Sequence, residues 1–280
     1  MSDLDEARAR RAIGTIIDGS APRDTISTGF PSLDNALGGG VRRRDLVILG
    51  GEVGSGKSAL ALAIALRATE AGAKVRFLSA EMDQTRAAER ALAIEARVRV
   101  DDLRRGHLDT ESRSRLEVAA RRLEQQFPTF DLLLPADIGA LEHEDVRLRD
   151  VDALIIDPLQ ALAAGSRPMD EEMASAARTL KKLAVERDVC VIATSGLPQI
   201  VRDRKDPRPQ LDDFGALGAL KQFADVVLGL YRQEMYDGAP DVDGATELLV
   251  LKNRNGARGY VDLYFYKQWM RFEDVLEPDR

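Results

Sequence analysis

A chain of 280 residues, 44% hydrophobic and 31% charged with 22 Gly and 11 Pro, can bury a core without disulfides, and its usage excludes disorder, collagen-like repeats and a coiled-coil rod. A formal net charge of −7 argues against a protein that coats nucleic acid with its whole surface, leaving room for a local basic channel. The single cysteine, Cys190, sits in an apolar run and reads as a small buried hydrophobe in a reducing compartment, and His107 and His143 are too few for a histidine metal site or a Ser-His-Asp triad.

The N-terminus is charged from Asp3 and lacks an apolar signal region, and no apolar stretch approaches the roughly 18 residues of a membrane span, so a soluble cytoplasmic chain without a membrane partner is expected. Residues 1–26 read as an arm or linker, with a short helix over Glu6 to Ile17 whose apolar positions Leu4, Ala12, Ile13, Ile16 and Ile17 would dock on an adjacent subunit. Residues 27–280 read as one domain.

Within it, predicted strands at Asp45 to Leu49, Lys74 to Ser79, Phe130 to Leu134, Ala153 to Asp157 and Val189 to Thr194 alternate with helices at Ser58 to Ala71, Gln84 to Arg97, Glu111 to Gln126 and Asp170 to Arg187. That alternation is the signature of an α/β fold with a mostly parallel central sheet and helices on both faces. The charged, proline-bearing stretch Val201 to Leu211 is a loop. Beyond it, Asp225 to Tyr231, Thr246 to Lys252 and Tyr260 to Tyr266 follow one another across the turn signals Asp237-Gly238 and Asn255-Gly256, which predicts antiparallel C-terminal strands closing one edge.

The chemistry begins at Gly51-Glu52-Val53-Gly54-Ser55-Gly56-Lys57-Ser58, a G-x-x-x-x-G-K-[ST] pattern between a predicted strand and a predicted helix. Gly51, Gly54, Ser55 and Gly56 would turn backbone N–H groups toward a phosphate at a helix N-terminus. Lys57 would neutralise the β/γ-phosphates of ATP, and Ser58 would ligate Mg²⁺. Ala153-Leu154-Ile155-Ile156-Asp157 ends an apolar strand in an acid, so Asp157 is the candidate for the metal shell, its alternative being a cap for the turn before Pro158. Glu81, after the strand Lys74 to Ser79, is the candidate general base for the attacking water, the alternative being a helix N-terminal Glu that complements the dipole. Lys252 and Arg254 stand at i and i+2 of a strand end, on one face, placed either to reach a γ-phosphate on an adjacent subunit as an arginine finger or as a solvated hairpin tip.

Together these residues resemble the RecA-like P-loop NTPase motor domain of the replicative helicases of the DnaB family, over Ser27 to Asp274. The resemblance is carried by Thr28 to Asp34, the P-loop, Leu78-Ser79-Ala80-Glu81-Met82, and Glu95-Ala96-Arg97-Val98 followed by Leu103-Arg104-Arg105-Gly106. It continues through Ile156-Asp157-Pro158-Leu159-Gln160, Gln222 to Val227, Leu230-Tyr231-Arg232, Lys252-Asn253-Arg254-Asn255-Gly256 and Arg271-Phe272-Glu273. The resemblance implies an ATP-driven homo-oligomer, a hexameric ring, that grips single-stranded DNA and works with replication or loader proteins. It also implies that Glu81 is the catalytic base and that Lys252 and Arg254 act on the neighbour's nucleotide. The family's N-terminal collar is expected to be absent, since only the short arm precedes Ser27.

The sequence departs from the family at three places. Ser195-Gly196-Leu197 lacks the family's γ-phosphate-sensing Gln after the Ser, and Gly215 and Ala216 replace an Arg and a Glu of the DNA-contacting loop. Backbone N–H groups of the loop through Gly215 and Gly218 would then serve as phosphate donors. The third departure is the expected absence of the N-terminal collar, which together with the acidic net charge and the altered loop favours the alternative of a non-translocating KaiC- or RadA-like regulatory or loader ATPase; the segment Leu37-Gly38-Gly39-Gly40-Val41 is similar to those relatives. Arg202, Arg204, Lys205 and Arg208 against Asp203 and Asp206 make a net +2 loop, either a phosphate-tracking substitute or a solvated surface.

Overall fold

The computed structural model describes residues 13, 14, 17, 24–126, 128–132, 150–163, 165–197, 204–236 and 242–275, with the backbone only of 126 and 130–132. Strand β3 (Leu46–Gly51) is buried along its whole length, and its side chains alternate between two cores. Val47 and Leu49 enter one, with Leu60, Phe77, Ile155 and Phe272. Leu46 and Ile48 enter the other, with Leu154, Ile156, Leu180 and Val227. A strand that reads as a continuous apolar run is one covered by helices on both faces.

The nine-stranded sheet runs β11-β10-β9-β8-β3-β7-β6-β4-β5, built from β4 (Val75–Ser79), β5 (Thr129–Leu132), β6 (Ala153–Asp157), β7 (Cys190–Gly196), β8 (Val226–Arg232), β9 (Ala245–Asn253), β10 (Gly259–Tyr266) and β11 (Arg271–Asp274). A separate antiparallel pair, β1 (Thr25–Ile26) and β2 (Val41–Arg42), brackets α1 (Pro31–Ala36). The sheet is parallel from β8 through β5 and antiparallel from β8 to β11. One expectation is corrected here: the strand at Asp225 to Tyr231 does not belong wholly to the antiparallel set, because β8 pairs parallel with β3. The segment between β7 and β8, which carries α7 (Ala219–Phe223), is long enough for the crossover that parallel pairing requires.

Helix α2 (Lys57–Glu70) follows β3 and is buried on every residue from Ala59 through Ala68. Its small side chains let it lie close on the sheet, with its N-terminus at the sheet's carboxyl edge. Helix α6 (Met169–Arg187) buries Met173, Ala176, Ala177, Leu180, Leu183 and Ala184, a stripe at helical spacing. Its acidic first turn and Arg187 near its end complement the helix dipole. Helices α3 (Gln84–Ala96) and α5 (Thr110–Gln126) match their predicted spans closely. The short α4 (Val100–Arg105), β1, β2, β11, α1 and α7 are additions. Cys190 is buried and free, and burial pushes its thiol up. Of the N-terminal arm, Ile13 and Ile17 are exposed, and Leu4, Ala12 and Ile16 lie outside the described residues. Among the described residues no helix is long and apolar enough to cross a membrane.

Candidate active site

The P-loop joins β3 to α2. Gly54 (φ 83°) and Gly56 (φ 101°) take left-handed conformations, which side chains with a Cβ resist. Lys57 Nζ donates to the carbonyl of Glu52 at 2.7 Å, so the lysine curls back over the loop. Burial lowers its pKa, opposed by the charges of Asp157, Glu81 and Glu52.

Ser58, in the first turn of α2, donates to Asp157 Oδ1 at 3.0 Å, and Thr194 of β7 donates to the same oxygen at 2.5 Å. Asp157 is 1% exposed, and burial pushes its carboxyl above the usual range, against the hydrogen bonds from Thr194 and Ser58. Its Oδ2 is buried without a hydrogen-bond partner. A buried, unsatisfied carboxylate oxygen beside a serine hydroxyl is a donor set that suits a hard divalent cation. Among the described residues no group of three or more His, Cys, Asp or Glu could hold a metal, so phosphate and water would complete the shell, as Mg²⁺ prefers. The carboxylate receives its hydrogen bonds from Ser58 and Thr194, not from the turn at Pro158, which removes the capping alternative.

Glu81 follows β4, and its N–H and that of Met82 both donate to Ser79 Oγ, at 3.2 and 2.9 Å. That turn lifts Glu81, exposed, off the carboxyl edge of the sheet. The dipole alternative fails on position: Asp83 caps α3 and accepts from Arg86, and no acid stands in the first turn.

Two further residues at the site had no assigned role in the sequence. Arg232, at the end of β8 and 6% exposed, donates to the carbonyls of Gly54 (3.0 Å) and Ser55 (3.4 Å). Because a trans peptide points its C=O and the next N–H in opposite directions, this brace turns the Gly56 amide to the far side of the loop. Gln160, in the turn after β6, donates to Ser195 Oγ and Gly196 O, both at 3.2 Å, and accepts from Gly196 N at 3.3 Å. A carboxamide thus occupies the end of β7, where Gly196 supplies no side chain.

A strand–P-loop–helix, a buried acid at the end of a strand two places away in the sheet and an antiparallel tail are a shared architecture; the match along the chain decides among its users. The sequence pattern of the DnaB-like helicase C-terminal domain matches residues 25–274. The chain belongs to this family. It is 33% identical to the replicative DNA helicase DnaC of Bacillus subtilis over 257 residues, which is 89% of this chain and 56% of that protein. The replicative DNA helicase DnaB of Geobacillus stearothermophilus gives the same identity and coverage. The chain therefore spans about half the length of the relatives it matches, 56%. Among solved structures, the ATPase domain of G40P superposes with a TM-score of 0.86 at 26% identity, covering 98% of this chain and 99% of that one. A DnaB-like replicative helicase studied with primase gives 0.84 at 26% identity, covering 98% of this chain and 67% of that one.

In this DnaB-family domain, Lys252 and Arg254 do not meet the P-loop of their own chain. Lys252 pairs in register with Val227 at the start of β8, whereas Gly51 pairs with Leu230 near its end, so the cations sit toward the opposite end of the sheet. Lys252 donates to the carbonyls of Lys221 and Ala224 (2.6 and 2.5 Å). Arg254 donates to Asp225 Oδ1 (3.1 Å) and Gln222 O (2.7 Å). Both converge on the segment just before β8, and Arg254, in the turn that joins β9 to β10, keeps its side chain 49% exposed.

The basic loop differs from its expected role. Arg202 lies outside the described residues. Arg204 pairs through its two terminal guanidinium nitrogens with Asp213, and Arg208 pairs with Glu247 (2.7 and 2.6 Å) and Asp206. Their charge is spent internally, which leaves Lys205 as the exposed cation of the described part. In the following loop Gly215, Ala216, Leu217 and Gly218 all have positive φ. The N–H of Ala216 donates to Asp170 and that of Gly218 to Gly215 O, each at 3.0 Å, so these two amides are engaged within the chain and not as phosphate donors. Phe214 is buried.

Proposed function

We propose that this DnaB-family domain hydrolyses ATP with Mg²⁺ at the P-loop and uses the cycle to drive a single-stranded-DNA motor, a helicase acting as a homo-hexameric ring in the cytoplasm, with residues 27–280 as the motor unit and 1–26 as an arm. The observation that carries this reading is the split site: a phosphate cradle and metal-side acid at one end of the sheet and two cations toward the other. Such a site is complete only where two copies meet.

The residues divide the work as follows. Gly51, Gly54, Ser55 and Gly56 form the cradle, and Lys57 uncurls from Glu52 O to meet the β/γ-phosphates. Ser58 and Asp157 would hold Mg²⁺, which supplies charge neutralisation on the phosphates. Glu81, raised on the Ser79 turn, orients and deprotonates the attacking water. Arg254, with Lys252, stabilises charge that develops on the γ-phosphoryl of the adjacent subunit, where such a finger contributes on the order of 10³-fold or more. On the DNA side, Lys205 is the cation we assign to the strand, and replication or loader proteins are the expected partners.

The test is steady-state ATP hydrolysis at low salt with Mg²⁺, with and without a single-stranded oligonucleotide, and with Lys57→Ala as the blank. Stimulation of several fold by the strand is the expected result. Turnover indifferent to DNA would sink the motor reading and point to a protein partner.

A further inference from the structure

Arg254 rests on a carboxylate that does more than balance its charge. Asp225, the residue before β8, is 6% exposed in its side chain, whereas that of Arg254 is 49% exposed. Its Oδ2 accepts the backbone N–H of Leu46 at 2.8 Å and the ammonium of Lys181 at 2.6 Å, while its Oδ1 accepts the Arg254 guanidinium at 3.1 Å. The backbone closes the same knot: Asp225 N donates to Leu46 O at 2.8 Å and Arg254 N donates to Asp225 O at 2.9 Å. Next to the arginine, Asn255 donates to Asp45 Oδ2 at 2.6 Å.

Leu46 is the first residue of β3, the strand that ends in this chain's own P-loop. A single buried carboxylate therefore holds both the root of the P-loop strand and a guanidinium that is half exposed at the surface. An arginine on its flexible stem has much rotamer freedom to lose when it docks. Asp225 Oδ1 and Gln222 O already hold the two terminal nitrogens of the guanidinium, which reduces that loss while about half of the side chain stays exposed.

We infer that Asp225 is a positioning residue for hydrolysis in trans: it orients Arg254 toward the nucleotide of the adjacent subunit and ties that arginine to β3. The inference rests on the trans assignment of Arg254 made above, and the experiment separates the two.

Asp225→Asn keeps an oxygen acceptor for Leu46 and removes the charge beneath the guanidinium. Turnover is expected to fall roughly ten-fold, the scale of losing one pre-ordered side chain, while a fluorescent ADP analogue with Mg²⁺ binds the variant's own pocket within about two-fold of wild type. The deciding measurement is subunit mixing with Lys57→Ala, whose pocket is dead but whose Arg254 and Asp225 are intact. Turnover per Asp225→Asn chain should rise toward wild type as Lys57→Ala is added, because each live pocket then meets an intact arginine; a folding defect would show no such rescue. Arg254→Ala mixed with Lys57→Ala serves as the control. Rescue in the control but not for Asp225→Asn overturns the role of Asp225. Failure of the control overturns the trans assignment itself. Loss of analogue binding by Asp225→Asn also overturns the proposal, since the carboxylate would then serve its own chain's pocket through Leu46.

Discussion

The hydroxyl of Ser58 donates to Asp157 Oδ1 at 3.0 Å across the gap between the first turn of α2 and the end of β6. The other carboxylate oxygen is buried and lacks a hydrogen-bond partner. Because burial raises the Asp157 carboxyl above its usual range, the native state binds that proton more tightly than the unfolded chain. Its contribution is fully favourable below the ordinary carboxylate range and is lost as pH rises through the raised value. Asp157→Asn has no such proton. The melting temperature of the variant minus that of the wild type, without nucleotide or Mg²⁺, should therefore grow from roughly pH 4 to pH 8. A flat difference across that range would show that the acid is not charged at a cost in the empty site. The same variant should lose turnover.

Glu81 is exposed and shares its turn only through backbone N–H groups. Glu81→Gln should therefore leave the melting temperature and the affinity for a fluorescent ADP analogue nearly unchanged while lowering kcat by about 10²- to 10⁴-fold, the range for a general base. Equal losses in binding and turnover would reassign it to the cradle.

Arg232 braces two P-loop carbonyls and lies over the ring of Phe265, its guanidinium carbon 4.7 Å from the centroid. Arg232→Met keeps much of the apolar stem and removes the donors, so the loop loses its fixed shape. Affinity for a fluorescent ADP analogue, read by titration with Mg²⁺, should weaken about ten-fold, the loss of a hydrogen bond from a charged donor. Arg232→Lys should fall between wild type and Met.

A Cβ at Gly50 would stand 2.2 Å from the Phe214 ring. Gly50→Ala should destabilise the fold by about 2 kcal/mol through overpacking, read from denaturant midpoints. Phe214→Leu in the same chain should return part of the loss, so the two changes will not add. Additive effects would mean that strand and ring yield independently.

The βαβ order, the P-loop and its place between β3 and α2, and the ends of most strands and helices were legible in the sequence, because each rests on neighbours a few positions apart. Apolar period, glycine placement and helix caps act over that range. The short α4 was missed, although its acidic start, basic end and Gly106 cap are local signals: six residues carry too little period to register. The parallel pairing of β8 with β3 was missed for a different reason, since a strand's period is the same whichever way its partner runs.

Local signals in the chain are enough for the set of elements and for the G-x-x-x-x-G-K-[ST] turn, since glycine placement and the Lys57-Ser58 pair lie within eight consecutive residues. Folding, by contrast, is what brings Asp157 to Ser58, sets Arg232 on the carbonyl of Gly54 from 178 positions away, seats Gln160 beside Gly196 and pairs Arg204 and Arg208 internally. The reason is physical. Hydrogen bonds and ion pairs depend on where side chains end up in space, and the sheet order β8-β3-β7-β6 brings together groups whose separation along the chain carries no periodic trace.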